Sequence, residues 1–315
     1  MPKSQKSETK SDVVVLSTFK FDVAIVEVIS SQSPSQKSTI NIIKHSHQAE
    51  FFTENLPGNI ILEMVSIPGG QFIMGSPKTD EESTDDERPQ HEVSVQPFFM
   101  GKYPVTQAQW RAVAKLPQVN CELNPDPSDF KEDNLPVESI SWDEAIEFCD
   151  RTSKYTGKKY RLPSEAEWEF ACRGGTTTPF HFGEKITAEL ANHDGECIYA
   201  SRTNRVDRNK TTPVGGFEVA NAFGLYDMHG NVWEWCADDW HSNYGNAPNN
   251  GNAWIINNVD DNDKQFKILR GGSWVNYPEF CRSASRGSSN LSDFCYNVGF
   301  RVVFASVAST LLYQS

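Results

Sequence analysis

Three places in the chain carry the same helix-starting device, and they limit what it can fold into. Thr106-Gln107-Ala108-Gln109, Ser141-Trp142-Asp143-Glu144 and Ser164-Glu165-Ala166-Glu167 each set a hydroxyl three residues ahead of a Gln or Glu. The hydroxyl can accept from an unpaired N–H of the first turn while the fourth side chain reaches back to the cap. Behind the second device Ala145, Phe148, Cys149 and Thr152 recur at helical spacing, and behind the third Trp168, Ala171 and Cys172 do. Gly157 and Gly174-Gly175 supply the stops. Trp110, Trp142 and Trp168 accompany these helices and read as core anchors.

Between and before the helices the pattern changes. Phe19 to Ile29 alternates as a strand and Ser38 to Lys44 as a second, joined by the polar linker SSQSPSQK. Residues 1–58 therefore read as an N-terminal extension with its own β-hairpin, frayed over the Ser/Lys-rich 1–17. Packing on the main domain and mediating assembly are both open to it. The main domain, 59–315, starts near Asn59, with strands expected at Ile60–Ile67, Gln71–Met74, His91–Val95 and Phe98–Met100. Residues 176–210 and 241–266 are Gly-, Asn- and Thr-rich and read as long ordered loops, which need something to hold them.

Composition excludes several functions. Twenty Gly and 17 Pro beside eight Trp and 19 Phe point to ordered irregular structure with aromatic anchors, not a helical bundle. A net charge of −13 argues against a general nucleic-acid or anionic-membrane surface. Seven Cys without a CxxC pair argue against a disulfide framework or tetrahedral zinc and fit a reducing compartment. No apolar run reaches membrane-spanning length and no signal-peptide core follows Met1, so cytoplasmic residence without membrane insertion is expected. The seven histidines are dispersed, without HExxH spacing, and the glycine pairs form no phosphate-loop or dinucleotide fingerprint.

Two segments carry more specific chemistry. In NAFGLYDMHGNVWEWC (221–236), Asp227 and Glu234 flank Gly230-Asn231. Carboxylates and backbone carbonyls around a glycine turn are what a calcium ion requires, although a turn-stabilising Asp and a strand-end Glu give the same letters. The second segment is 269–303, LRGGSWVNYPEFCRSASRGSSNLSDFCYNVGFRVV. Its ends read as scaffold, with paired glycines for tight geometry and a short strand about Phe300 and Val302. Between them Val275, Asn276, Tyr277, Phe280, Ser285, Gly287, Ser288, Ser289, Asn290, Leu291, Ser292, Phe294, Cys295, Tyr296 and Asn297 follow neither helical nor strand period. Pro278, Cys281-Arg282-Ser283-Ala284, Arg286 and Asp293 run through them as fixed points. Aromatic rings among small adaptable polar residues are the composition of binding loops. Cys281 reads as a buried thiol anchoring the loop, the alternative being a reactive thiol beside Arg282 or Arg286.

Over 59–303 the chain resembles the sulfatase-modifying family typified by the formylglycine-generating enzyme. The resemblance rests on MVSIPGGQFIMGS, ERPQHEV, PVTQAQW, PVESISWDEAIEFC, RLPSEAEWEFACRGG, NAFGLYDMHGNVWEW, LRGGSW and GFRVV in that order. It implies an α+β chain of C-type-lectin-like fold, in the formylglycine-generating-enzyme type, with much irregular structure. In the family's enzymes two cysteines following the GGS motif bind copper(I) and oxidise a substrate cysteine. Here the first position holds Asn276 and the second Cys281, so the resemblance implies no copper and no catalysis. A copper-dependent oxidase remains the alternative, if another thiol compensates. The family's calcium ligands fall on Asp227, Gly230, Val232 and Glu234, which implies structural calcium; a second site would begin at Asn192, with no clean match for its later acidic ligand.

The variable segment also resembles that of proteins diversified by retroelements that mutate template adenines, within a skeleton like GGSW…P…CRSA.R…D…GFR. Asn codons randomised at their adenines end in C or T and cannot encode Trp, Met, Gln, Lys or Glu. The fifteen positions named above contain none of those five residues. The reading that results is a non-enzymatic protein whose segment of about 270–303 is a recognition surface. Its ligand is unknown and expected to be a protein, with a glycan as the other candidate.

Overall fold

Val15–Ile29 (β1) and Thr39–Leu56 (β2) form a long antiparallel ladder from Ser17↔Phe51 to Ile29↔Thr39. The computed structural model describes residues 14–29, 39–195, 208–257 and 265–305, with the backbone of 312–313. Of the stretch 1–17 expected to fray, residues 1–13 lie outside the described residues, as does the linker 30–37, whereas Val15 to Ser17 already belong to β1. β2 runs twelve residues beyond Lys44, where the sequence pattern ends the strand, because its far half has a second partner. From Phe51↔Val65 to Leu56↔Ile60 it pairs with Ile60–Ile67 (β3). The hairpin is thus continuous with a seven-stranded sheet.

That sheet also contains Phe98–Gly101 (β6), Tyr160–Arg161 (β7), Val303–Phe304 (β12) and Leu312–Tyr313 (β13), in the order β13-β1-β2-β3-β6-β12-β7. Gly70–Met74 (β4) and His91–Val95 (β5) pair separately. A four-stranded sheet is built late in the chain from Trp233–Asp239 (β8), Phe266–Arg270 (β9), Arg286–Asn290 (β10) and Val298–Gly299 (β11), in the order β10-β9-β8-β11. The strand expected about Phe300–Val302 resolves into β11 and β12, with those residues buried between them.

All three helices start as their sequences dictate: Gln107–Ala114 (α1), Trp142–Thr156 (α2) and Glu165–Arg173 (α3). Thr106, Ser141 and Ser164 accept from the N–H of Gln109, Glu144 and Glu167 at 3.3, 3.2 and 3.0 Å. The reciprocal bonds close at 3.0, 3.0 and 2.9 Å. Gly157 and Gly174 end α2 and α3 in the left-handed conformation, at φ 79° and 54°. Such caps contribute about 1 kcal/mol each, so packing must supply the rest.

It does so around the tryptophans. Trp110 stacks on Phe148 at 5.8 Å, and Phe300 meets Phe148 edge-on at 5.2 Å. Trp168 fills a second cluster with Met100, Cys172, Met228 and Ile268. Trp142, half-buried, donates its indole N–H to the Cys236 carbonyl at 2.8 Å. Truncating such a ring to Ala costs about 3–5 kcal/mol. A third cluster joins the ends of the chain: Ala24 and Val26 of β1 pack with Phe180, Phe182, Ile186 and Cys281. Among the described residues no helix is long and apolar enough to cross a membrane.

Candidate ligand-binding surface

The segment 275–297 begins after Gly271 and Gly272, both at positive φ. A Cβ at Gly272 would lie 2.5 Å from the Cys281 sulfur, so this turn tolerates no side chain. A short 3-10 turn, Pro278–Cys281, follows, then β10, then an irregular return to β11. The strand at 286–290 has no signature in Gly-Ser-Ser-Asn. It exists because β9 pairs with it from Arg286↔Arg270 to Asn290↔Phe266.

The frame holds this segment through its backbone. The carbonyls of Asn276, Leu291, Cys295 and Asn297 accept from the N–H groups of Asp194, Trp142, Ser139 and Trp233, at 2.8, 3.1, 3.1 and 2.9 Å. Leu291 N–H donates to Gln265 at 2.9 Å. None of these bonds depends on which side chain occupies the position.

The fixed residues hold it from beneath. Arg282 donates to both Glu87 oxygens at 2.6 and 2.8 Å and to Asp80 at 3.3 Å. Arg286 grips Glu165 at 2.7 and 3.1 Å. Arg270 pairs with Glu169 and donates to the carbonyls of Ser283, Ala284 and Ser285. Burial alone would raise the carboxyls of Glu87 and Glu165. The hydrogen bonds and charge of Arg282 at one, and the charges of Arg286 and Arg270 at the other, outweigh it and lower both. Asp293 accepts from the Ser289 hydroxyl and the Asn290 N–H at 2.9 and 3.1 Å.

The positions between these ties divide by direction. Val275, Tyr277, Phe280, Phe294 and Tyr296 stand exposed, Phe294 by 63%, as do Ser288 and Ser292. Asn276, Ser289, Asn290, Leu291, Cys295 and Asn297 are half-buried. Ser285 is buried, at 3% exposure, and a Cβ at Gly287 would meet Trp233 at 3.3 Å and Leu269 at 3.4 Å. These two point into the frame, which a list read by composition could not show.

Cys281 is fully buried and burial pushes its thiol up, so it is the inert anchor and not the reactive alternative. Asn276, where the enzymes have the other cysteine, accepts from Ser273 Oγ at 2.5 Å, and Ser273 in turn accepts from Asn297 at 3.1 Å. Cys295 packs against the Trp110 cluster, whereas Cys281 belongs to the cluster beneath β1. Sequence reasoning missed His229. Its Nδ1 donates to the Cys281 carbonyl at 2.7 Å, and its Nε2 accepts from the His181 N–H at 3.0 Å. Both partners fix the neutral tautomer, and burial pushes the ring down to about 4. No spacing in the sequence links positions 181, 229 and 281.

Of the expected calcium ligands, Glu234 lies in β8 and Asp227, Gly230 and Val232 lie in the loop that leads into it. Asp227 sits at φ 56° and accepts from the Gly215 N–H at 2.6 Å. Gly230 turns at φ 87°, and Val232 and Glu234 are buried. Glu234 accepts from Arg301 at 2.6 and 2.7 Å and from the Trp168 indole at 2.7 Å. One oxygen is thereby saturated, and the other keeps a lone pair. Burial, with the charge of Glu234, raises Asp227 to about 6, a strain that a cation would relieve. The residues therefore fit an oxygen-ligated ion. Among the described residues no three His, Cys, Asp or Glu side chains form a metal site, so main-chain carbonyls would complete its shell.

This is an α+β frame holding one solvent-facing segment by its main chain and by buried arginines. The family described as "Sulfatase-modifying factor enzyme 1-like domain" matches residues 52–306, and the chain belongs to it. The chaperone protein LppX of Paenibacillus barcinonensis is 30% identical over 285 residues, 76% of this chain and 89% of that protein. Among solved structures, PvdO from Pseudomonas aeruginosa is 33% identical with a TM-score of 0.67, covering 78% of this chain and 95% of that one. Treponema denticola variable protein 1 shares the fold, with a TM-score of 0.64 at 23% identity, over 81% of this chain and 99% of that one.

Proposed function

We propose that this chain is a non-enzymatic ligand-binding protein, displaying a retroelement-diversified surface on a C-type-lectin-like scaffold. One observation carries the reading: large apolar side chains face solvent from a backbone that the frame ties without using them. Among the described residues, five of the 15 exposed large hydrophobic residues fall within 275–296, four of them aromatic. Solvation does not favour such a cluster, and partner contact does. Tyr277, Phe280, Phe294 and Tyr296 are its anchors, with Val275, Leu291 and Cys295 adding apolar area. Asn276, Ser288, Ser289, Asn290, Ser292 and Asn297 supply adjustable hydrogen bonds. The ligand is a protein. Calcium held by Asp227, Gly230, Val232 and Glu234 stiffens the loops below, and a stiff frame favours affinity because little remains to be ordered on binding.

The absence of catalysis follows from Asn276, which offers copper(I) no thiolate. Two measurements test the reading. The genome that encodes the chain is expected to hold a near-copy of the DNA for 270–303, with Asn codons at the variable positions, beside a reverse transcriptase gene. A genome without one would sink the diversification. Anaerobic copper(I) titration is expected to give no stoichiometric binding, and aerobic incubation of the copper-treated chain with a cysteine peptide no aldehyde; tight stoichiometric copper with aldehyde formed would overturn the non-enzymatic assignment.

A further inference from the structure

We infer that the outer edge of β10 takes an extended segment of a protein partner as an added strand. The inference rests on the display reading above and names how that surface holds its ligand.

β10 ends the four-stranded sheet, and its backbone ladder runs to β9 alone. In an antiparallel pair alternate residues bond inward and the others direct N–H and C=O outward. Several other edges are covered or short, while β4, five residues of the two-stranded sheet, has like β10 a ladder on one side alone. Along β1, Val26 N–H donates to Phe182 at 2.8 Å, and Asp22 accepts from Ala220 at 2.9 Å. Along β5, Ser94 N–H donates to Asn249 at 2.9 Å. β7 and β11 have two residues each. β10 has five: the Leu291 N–H bond to Gln265 sets the register so that Gly287 and Ser289 bond inward to β9 and Arg286, Ser288 and Asn290 face outward. Asp293 N–H closes the Asn290 carbonyl at 2.9 Å, and among the described residues no backbone group outside the ladder bonds to Arg286 or Ser288.

Proteins blunt an open edge with Lys, Pro or bulky charge. This one carries Gly287, Ser288 and Ser289, which leave the main chain uncovered. The run ends at Asn290, whose N–H is taken by Asp293. Exposed Phe266 lies across the ladder from Asn290, and exposed Phe294 follows Asp293. The outward N–H and C=O groups of Arg286 and Ser288, two residues apart and flanked by apolar side chains, are complementary to extended polypeptide, not to a glycan. Main-chain pairing also suits a surface whose side chains change, since the strand edge supplies affinity whatever residues stand at 275–297. The variable side chains then select among segments that can pair.

The test is a phage-displayed random dodecapeptide library selected on the full chain. Each selected peptide is resynthesised with one N-methyl group at successive positions, and amide exchange of Arg286 and Ser288 is followed with and without it. Strand addition predicts about tenfold weaker binding at the blocked positions that face Arg286 and Ser288, as expected for one lost hydrogen bond, with slower exchange at Ser288. Peptides that tolerate every N-methyl group, leave Ser288 exchange unchanged, yet weaken with Tyr277→Ser or Phe294→Ser would overturn strand addition and leave the display reading standing. Peptides indifferent to both kinds of change would overturn the two together. A selection recovering no peptide would overturn strand addition.

Discussion

Whether a side chain in the segment can vary depends on where its Cα–Cβ bond points. Ser288 points to solvent and Gly287, one residue earlier, points at Trp233. Gly287→Leu is therefore expected to destabilise by about 1–3 kcal/mol, through overpacking against Trp233 and Leu269. Ser288→Leu should change stability by no more than about 0.5 kcal/mol. Urea unfolding of both variants decides it, and equal midpoints would refute the division by direction. Asp227 gives a second prediction through its charge. Its folded value of about 6 exceeds the ordinary 3.8, so between those values the folded state binds more protons than the unfolded state. Without metal its contribution favours folding as pH falls through 6 and opposes it as pH rises. The proposed calcium would reverse this by stabilising the carboxylate. Thermal unfolding of chelator-treated protein should thus show a contribution that Asp227→Asn removes, together with the calcium-induced rise in midpoint. A calcium response that survives Asp227→Asn would place the ion elsewhere.

At the scale of elements, the segment is held by two kinds of tie, and the arginines are the more vulnerable. Arg282→Ala would leave Glu87 buried without its partner, since both side chains are nearly inaccessible. Removing one member of such a pair costs about 3–5 kcal/mol, and Glu87→Gln in the same background should recover part of it. The folded values of Glu87 and Glu165 are depressed, so their contribution is present above about 4.5 and fades as pH falls through the folded values. Acid unfolding monitored by circular dichroism should lose part of this dependence in the Arg282 variant. What could be read from the sequence divides along the same line. The capped helices were legible because each cap is closed by residues three apart. The cores of α2 and α3 were legible because their apolar spacing matches the helical repeat. β10 and the far half of β2 were not, because β9 and β3 impose those strands on sequences with little preference of their own. The fifteen positions of the segment stood out in the sequence by composition alone, while their division into outward and inward depended on packing that composition does not encode.

At the scale of the molecule, the N-terminal hairpin packs beneath the turn at Cys281 in the segment 275–297. Ala24 and Val26 of β1 form one cluster with Phe180, Phe182, Ile186 and Cys281, and Cys281 is the buried end of the 3-10 turn that presents Phe280. β1 also pairs along most of its length with β2, which carries the ladder on to β3 and β6. Lys102, at the end of β6, lies 4.0 Å above the Phe19 ring and 3.2 Å from Glu63, closing the same seam with charge and ring. Disturbing β1 should therefore be felt at Cys281, through packing. Val26→Asp would bury a carboxylate in an apolar cluster, and the cluster is expected to open before the sheet unfolds. The readout is alkylation of Cys281, located by peptide mass mapping under native conditions. In the unaltered chain its buried thiol should react far more slowly than the half-buried Cys121 and Cys295. In Val26→Asp its rate should approach theirs while circular dichroism still reports the folded sheet. A Cys281 rate unchanged in a folded Val26→Asp protein would mean that the hairpin does not brace the segment. In that case the support of the surface would lie entirely in β9 and the arginines.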